Sequence, residues 1–163
     1  MLNGIYAALP LLKATPGSFI FTTSSASATY GTPRLAVYAA TKFAVKGLTE
    51  ALSIEFSRHG IRVADILPGF IDTALLRVSP NHSLDLPESY DIAQAMPKRG
   101  MFRLQPPEIV AETAYAAYSS DRLHWYVPPE IAWLDRLKGL FPNFIRQRTR
   151  DLVFQRFRAG PVQ

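Results

Sequence analysis

A tyrosine and a lysine stand four residues apart in the stretch YAATK, Tyr38 to Lys42, within a segment typical of a helix. Residues four apart share one helix face, so the ammonium group can approach the phenol. A phenol titrates near 10 in water, and a neighbouring cation favours its ionised form. Such a pair could exchange a proton with an alcohol or a carbonyl near neutral pH. The same spacing is also common between exposed helix residues that have no catalytic role.

A serine-rich loop precedes this segment and could supply the hydrogen-bond donor that such chemistry needs. The apolar, β-rich run SFIFTT (18–23) predicts a buried strand, and Ser24, Ser25 and Ser27 follow it directly. Ligands bind α/β sheets at the carboxyl ends of parallel strands. The three hydroxyls are therefore well placed to hold a substrate oxygen, although serine-rich loops are also ordinary turns.

The order of the predicted elements indicates an α/β sheet. A long helix over 35–59 follows the strand at 18–23, and an apolar run at 61–67 predicts a second strand that Pro68-Gly69 ends. A strand, a helix and a strand in this order predict two parallel strands. The other predicted elements are helices over 4–13, from Pro107 and over 130–158 (broken near Pro142), a third short strand in HWYVPP (124–129), and an irregular segment over 74–105.

Two stripes of residues run along the predicted long helix. The first predicts the face toward the core and comprises Ala40, Ala44, Leu48, Ala51 and Leu52. The second consists of small residues that would let another helix approach closely, namely Ala40, Ala44, Gly47 and Ala51.

Composition excludes several classes of site. The chain of 163 residues, 48% hydrophobic, fits one globular domain with a real core. Without cysteine it forms no disulfide or thiolate metal site, and the three histidines are far apart, so no metal site is predicted. No apolar run reaches the roughly 18 residues of a membrane span, and no basic residue precedes the first apolar run. These features favour a cytoplasmic protein.

The net charge of +5 is concentrated near the carboxyl terminus. Residues 136–163 hold seven basic residues against one acid, Asp151. Such a tail could contact nucleic acid or a membrane surface. We favour the solvated face of a helix instead, because apolar residues recur there at helical spacing: Leu134, Leu137, Leu140, Phe141, Phe144 and Ile145.

Three motifs in register, FTTSSAS, YAATK and PGFIDT, closely resemble the short-chain dehydrogenase/reductase family of the classical type. The family's serine lies 13 residues before its tyrosine, which selects Ser25. The resemblance implies that Tyr38 is the general acid/base, that Lys42 activates it and holds the ribose of a nicotinamide cofactor, and that Ser25 orients the substrate carbonyl. It further implies a group of residues lining the nicotinamide side of the cofactor site: Pro68, Gly69, Ile71 and Thr73.

The glycine-rich turn that receives the cofactor diphosphate in this family is absent, because no two glycines here stand two residues apart. The expected fold is therefore a partial Rossmann-like, doubly wound parallel sheet that retains only its last strands. Residues 1–128 would form the C-terminal part of the dehydrogenase domain, and 129–163 a basic, mainly helical extension. A misplaced start, a partial sequence or a truncated gene would explain such a chain.

The leading hypothesis is an oxidoreductase that uses NAD or NADP to interconvert a small alcohol and a ketone or other carbonyl compound, present here as an N-terminally truncated chain. A second hypothesis is a catalytically inactive dimerisation or interaction module, because family members often form homo-oligomers through the helix that carries Tyr38 and Lys42. Neither the substrate nor the choice between NAD and NADP can be read from these residues.

Overall fold

The computed structural model of the protein describes residues 1–33, 35–78 and 96–158. A parallel sheet runs in the order β1 (Phe19–Thr23), β2 (Arg62–Pro68) and β3 (His124–Val127). In its register, Thr23 lies opposite Ile66 and Pro68 lies opposite Val127. The α/β class, the three predicted strands and the parallel pairing are confirmed.

Six α-helices and one 3-10 turn (Ala26–Ala28) accompany the sheet in the described ranges. The predicted break near Pro142 is confirmed, because one helix ends at Leu140 and the next begins at Pro142. Of the segment predicted to be irregular, residues 79–95 lie outside the described residues. The helices are α1 (Leu2–Ala14), α2 (Ala36–Ser57), α3 (Ala74–Val78), α4 (Glu108–Tyr118), α5 (Ile131–Leu140) and α6 (Pro142–Arg158).

The sheet separates two helical layers. On one face, α1 and α2 close a hydrophobic core, and on the other α4 brings the Tyr118 ring to 6.0 Å from the ring of Phe19. Strand β2 lies in the middle and is buried at five of its seven positions, as expected for a parallel strand covered on both faces. The core cluster consists of Ile5, Ile20, Leu52, Phe56, Ile61 and Val63.

The predicted core stripe of α2 is largely wrong. Ala40, Ala44 and Ala51 are exposed, Leu48 is partly buried, and only Leu52 is fully buried. The face toward the sheet lies about a third of a turn away around the helix axis. It holds Ala39, Thr49, Leu52 and Phe56. Burying the larger side chains removes more apolar surface from water than burying alanines does, which explains this rotation.

The apolar residues of the C-terminal helices also differ from the prediction. Ile145 is buried and Leu134 is partly buried, whereas Leu137, Leu140, Phe141 and Phe144 are exposed. The fully buried Ile131 begins the face by which α5 packs on the rest of the protein. Among the described residues, no helix is both long enough and apolar enough to cross a membrane.

Candidate active site at the carboxyl ends of the strands

Lys42 lies where strand β1 ends. Its ammonium Nζ donates a hydrogen bond to the carbonyl oxygen of Thr23, the last residue of β1, at 3.0 Å. The adjacent Ser24 returns a bond, since its hydroxyl donates to the backbone carbonyl of Lys42 at 2.9 Å. These two reciprocal bonds fix the first half of α2 against the strand end. Ser24 is only 2% exposed, so its hydroxyl is a structural tie.

The hydroxyl of Ser25 is a candidate hydrogen-bond donor to a ligand. Ser25 is buried, its backbone is extended, and it caps the 3-10 turn by accepting a hydrogen bond from the Ser27 amide at 3.1 Å. That bond uses an oxygen lone pair and leaves the hydroxyl proton available to a ligand. The hydroxyl of Ser27 also accepts a bond, from the Thr32 hydroxyl at 3.1 Å, but Ser27 is only partly buried. Of these two serines, we favour Ser25 as the donor, because a hydrogen bond from a buried hydroxyl competes less with water.

Tyr38 stands in the first turn of α2, one turn before Lys42. Its side chain is 44% exposed, and the Lys42 ammonium lies 5.7 Å from the centre of its ring. The helix therefore brings the tyrosine and the lysine together, as their spacing predicts. The 3-10 turn that follows Ser25 packs against the same helix.

The PGFIDT loop leaves the neighbouring strand at the same end of the sheet. The Gly69 amide donates to the carbonyl of Val127 at 2.7 Å, which extends the pairing of β2 with β3. Ile71 then forms a parallel bridge with Gln105, a 7% exposed residue. Thr73 is exposed and immediately precedes α3. The loop is thus held by the chain around Gln105 as well as by β3.

Gly69 has no room for a side chain. A Cβ atom there would lie 3.2 Å from Cδ1 of Ile131, which is fully buried, and 3.3 Å from the carbonyl oxygen of Val127. We expect Gly69→Ala to destabilise the fold by about 1–3 kcal/mol, because neither neighbour can withdraw freely. Thermal unfolding would measure the loss. The control Gly47→Ala has nothing within 4 Å and should stabilise α2 by about 0.5–1 kcal/mol. Equal effects of the two changes would contradict this explanation.

Two further turns of α2 are anchored by polar contacts. Lys46 and Glu50 continue the four-residue steps of Tyr38 and Lys42 along the helix. The Lys46 ammonium lies 2.6 Å from Oδ2 of Asp135, to which the hydroxyl of Tyr126 also donates at 2.6 Å. Together with the bond from Lys42, these contacts set the rotation of α2 and hence the direction in which Lys42 points.

His124 completes the anchoring through two carboxylates. Its Nδ1 lies 2.7 Å from Asp65 Oδ1, and its Nε2 lies 3.2 Å from Glu50 Oε1. Burial raises the pKa of Asp65 above its usual range, although the hydrogen bond to His124 opposes this effect. The second oxygen, Oδ2, is buried without a hydrogen-bond partner among the described residues, which agrees with a carboxyl that is costly to ionise.

The carboxyl of Asp135 shifts the opposite way. Burial acts to raise its pKa, but the hydrogen bonds from Lys46 and Tyr126 outweigh this and hold the pKa below its usual range. The pKa of Tyr126 is raised, first by burial and then by its hydrogen bond to this carboxylate. Asp135 is therefore ionised and strongly held at neutral pH.

Sequence reasoning missed this anchoring set and the bridge partner Gln105. A signal was present for Lys46 and Glu50, because they prolong the Tyr38–Lys42 row on a helix that must face a sheet. Their partners had no local signal: Asp135 lies 89 positions from Lys46, and His124 lies 59 positions from Asp65. Within the described ranges, no group of three His, Asp or Glu side chains is arranged to hold a metal ion.

The family described as short chain dehydrogenase has a sequence model that matches residues 1–83. The oxidoreductase UcpA of Salmonella typhimurium is 34% identical over 116 residues, which are 69% of this chain and 43% of that protein. A cyclohexanol dehydrogenase of Acinetobacter is 28% identical over 124 residues, 74% of this chain and 45% of that protein. The chain thus spans less than half the length of these two curated relatives.

Solved structures share the fold. A short chain dehydrogenase from Burkholderia cenocepacia, determined in complex with NADP, matches with a TM-score of 0.69 at 22% identity. The match covers 91% of this chain and 53% of that one. The three parallel strands and their helices are therefore the arrangement found in about half of a dehydrogenase of this kind.

Proposed function

The chain belongs to the short-chain dehydrogenase family, and we propose on that basis that it carries the acid/base residues of a nicotinamide-dependent oxidoreductase. The proposed reaction interconverts a small alcohol and its carbonyl compound. The observation that supports it most is the cluster at the end of β1. There a lysine bonded to the strand end lies beside an exposed tyrosine, and Ser25, two residues after the end of the strand, uses only an oxygen lone pair of its hydroxyl.

We assign the three side chains separate tasks. The Ser25 hydroxyl donates to the substrate oxygen and holds it within reach of Tyr38. The hydroxyl of Tyr38 gives its proton to that oxygen during reduction and takes it back during oxidation. The Lys42 ammonium stabilises the negative charge that develops on the phenol oxygen while the proton is transferred. A bound nicotinamide cofactor would supply or accept the hydride at the substrate carbon.

The residues present suit the nicotinamide end of NAD or NADP. One of the three ammonium hydrogens of Lys42 is used on Thr23, which leaves two for the hydroxyls of a ribose. The PGFIDT loop, with Pro68, Gly69, Ile71 and Thr73, would line the other side. The diphosphate would need a glycine-rich turn, and the glycine spacing of these 163 residues provides none.

The assignment of Ser25 makes a prediction that separates it from its neighbour. In the protein expressed from its native gene, Ser25→Ala should lower kcat/KM for a cognate alcohol by about 10²–10³. The reason is that the substrate oxygen loses the hydrogen bond donated by the Ser25 hydroxyl. Cofactor absorbance with a panel of small alcohols and ketones would measure the rates. Ser27→Ala is the matched control and should change kcat/KM by less than about threefold, since the proposal gives Ser27 no contact with the substrate and the bond that it loses is to Thr32. A larger loss in Ser27→Ala than in Ser25→Ala would contradict the assignment.

We further propose that two copies pair through α2. Besides Ala40, Ala44, Gly47 and Ala51, the exposed stripe includes Val37 and Ile54 at its ends, 81% and 76% exposed. These six positions alternate three and four residues apart, which is the spacing of a helix–helix seam. Small residues in the centre would let the two helices approach closely. This stripe is also what an inactive dimerisation module would use.

A charge placed in this stripe should separate the copies. Ala44→Glu would bury two like charges at the helix crossing, so we expect dissociation to the monomer at micromolar concentration. Sedimentation velocity would report the mass. The control Glu112→Arg alters an exposed residue of α4, on the other side of the sheet, and should leave the mass unchanged. An Ala44→Glu protein that sediments like the parent would rule out pairing through this face.

A further inference from the structure

The two C-terminal helices leave large apolar side chains exposed, together with an excess of positive charge. We call this the α5–α6 surface, and its apolar members are 40% to 72% exposed. The cationic members Arg136, Arg146, Arg148 and Arg150 are exposed as well. The apolar members are Trp133, Leu137, Leu140, Phe141 and Phe144.

These apolar side chains are not displaced members of the core. Helix α5 already uses its inner side, where Ile131 is fully buried and Asp135 binds Lys46. On the same inner side, the Lys138 ammonium lies 4.6 Å from the ring centre of Phe43. Trp133, Leu137 and Leu140 follow at steps of four and three residues on the outer side. An apolar stripe that remains exposed after the core is filled indicates a binding surface.

The position of α5 in the fold limits what could cover it. It follows β3, the edge strand, whereas the other edge of the sheet belongs to β1. Any further strands that extended the sheet from β1 would therefore be added at the opposite edge from α5. Such strands would lie away from α5 and would not cover this surface.

Charge identifies the kind of partner. Residues 136–163 hold seven basic residues against one acid, and that acid, Asp151, is bonded to Arg150 at 3.3 Å. Two further acids lie at this helix, Asp135 within α5 and Glu130 directly before it. Both are paired, because Asp135 binds Lys46 and Glu130 binds Arg103 at 3.0 Å. Two copies of so positive a surface would repel each other, so the charge favours an anionic partner over self-association.

The mixture of side chains favours lipid over nucleic acid. Guanidinium groups lie beside the aromatic rings: Arg136 Cζ is 5.5 Å from the ring centre of Trp133, and Arg148 Cζ is 5.8 Å from that of Phe144. Cations flanking Trp and Phe are typical of helices that lie in the headgroup region of a bilayer. The exposed Leu137 and Leu140 have no use against a phosphate backbone but can enter the acyl boundary.

We propose that the α5–α6 surface docks the protein on an anionic lipid bilayer, with the apolar residues in the interface and the basic residues on the headgroups. The helices lie on the bilayer and do not cross it. This proposal is independent of the proposed reaction.

Vesicle flotation of the purified full chain tests the proposal. We expect binding to equal mixtures of phosphatidylcholine and phosphatidylglycerol, and at least about tenfold weaker binding to pure phosphatidylcholine or in high salt. Insertion should shift the fluorescence of Trp133 to shorter wavelength in a Trp125→Phe protein. The double variant Leu140→Gln, Phe144→Gln should lose the shift and most of the binding, whereas Tyr115→Gln, at an even more exposed position on α4, should lose neither.

Three results would overturn the proposal. The first is a folded, monodisperse protein that does not float with anionic vesicles. The second is binding that the double variant leaves unchanged, since the apolar side chains would then have no part in it. The third is a single-stranded oligonucleotide that binds more tightly than the vesicles and displaces them, which would assign the surface to nucleic acid. Thermal unfolding of each variant distinguishes lost binding from lost folding.

Discussion

Replacing Tyr38 by phenylalanine is expected to lower turnover by about 10²–10⁴ in the natively expressed protein, the range that a general acid/base contributes. The change removes one oxygen and its proton and leaves the ring in place. Because the side chain is 44% exposed at the start of α2, its hydroxyl supports no buried structure, and stability should change by less than about 0.5 kcal/mol. Cofactor absorbance with the best alcohol or ketone of the panel would measure turnover.

The comparison variant for this experiment is Tyr115→Phe. Tyr115 is 81% exposed on α4 and takes no part in the cluster at the end of β1. Removal of its hydroxyl should therefore leave turnover within about twofold of that of the parent protein. Undiminished turnover in Tyr38→Phe would refute the proposed role.

Local sequence patterns were sufficient to predict the strands and the helix that form the candidate site. The runs at 18–23 and 61–67, the helix between them and the motifs at their ends are all contiguous in the chain, and the structure contains each element. Residues at the ends of such elements, among them Ser25 and Tyr38, could be assigned to one edge of the sheet because parallel strands end together.

The rotation of α2 could not be predicted from the same pattern. Alanines at positions 40, 44 and 51 form as regular a stripe as the true core face, and spacing alone does not say which stripe meets the sheet. Burial of the larger side chains favours the observed face, and two contacts between residues distant in sequence hold it: the hydroxyls of Thr22 and Thr49 are 2.8 Å apart, and Lys46 binds Asp135, 89 positions away. The geometry of the candidate site therefore depends on the rotation of α2 as well, because Lys42 points to β1 only when α2 has that rotation.

The apolar residues of α5 and α6 show a second feature that sequence patterns cannot predict. Periodicity predicts one apolar side with a solvated basic face, but the structure divides these apolar residues: Leu134 and Ile145 are at least partly buried and the others are exposed. The inner side of α5 is instead formed by Ile131, the ionised Asp135 and Lys138. A polar inner side has no periodic signature, so the sequence could not reveal that the apolar residues Trp133 and Leu140 would remain in contact with solvent.

The pair of Lys46 and Asp135 should contribute measurably to stability, since the two side chains are only 14% and 17% exposed. Asp135→Asn leaves the Lys46 ammonium without a counter-charge and weakens the bond from Tyr126. We expect the free energy of unfolding at pH 7 to fall by about 2 kcal/mol, the usual effect of losing a hydrogen-bonded charge at a partly buried site. Urea unfolding would measure it. Asp151→Asn is the control, because that carboxylate is 52% exposed and bonded only to its neighbour, and should change stability by less than about 0.5 kcal/mol.

The effect of Asp135→Asn should depend on pH in a defined direction. The folded protein holds the pKa of Asp135 below its unfolded value of 3.8, so the unfolded chain takes up this proton first as the pH falls. The stabilisation is therefore fully present above that value and is lost as the pH falls through the folded pKa. The difference between parent and variant should be constant from pH 7 to about pH 5 and shrink in more acidic solution. The pKa of Asp65 is raised by burial, so this residue makes the free energy of unfolding change with pH in the opposite direction. Because Asp65 is present in both proteins, its effect cancels in the difference between them. A difference that grows on acidification would show that the carboxylate of Asp135 is not held by Lys46 in solution, and this pair would then not help to hold the rotation of α2 that presents Lys42 to β1.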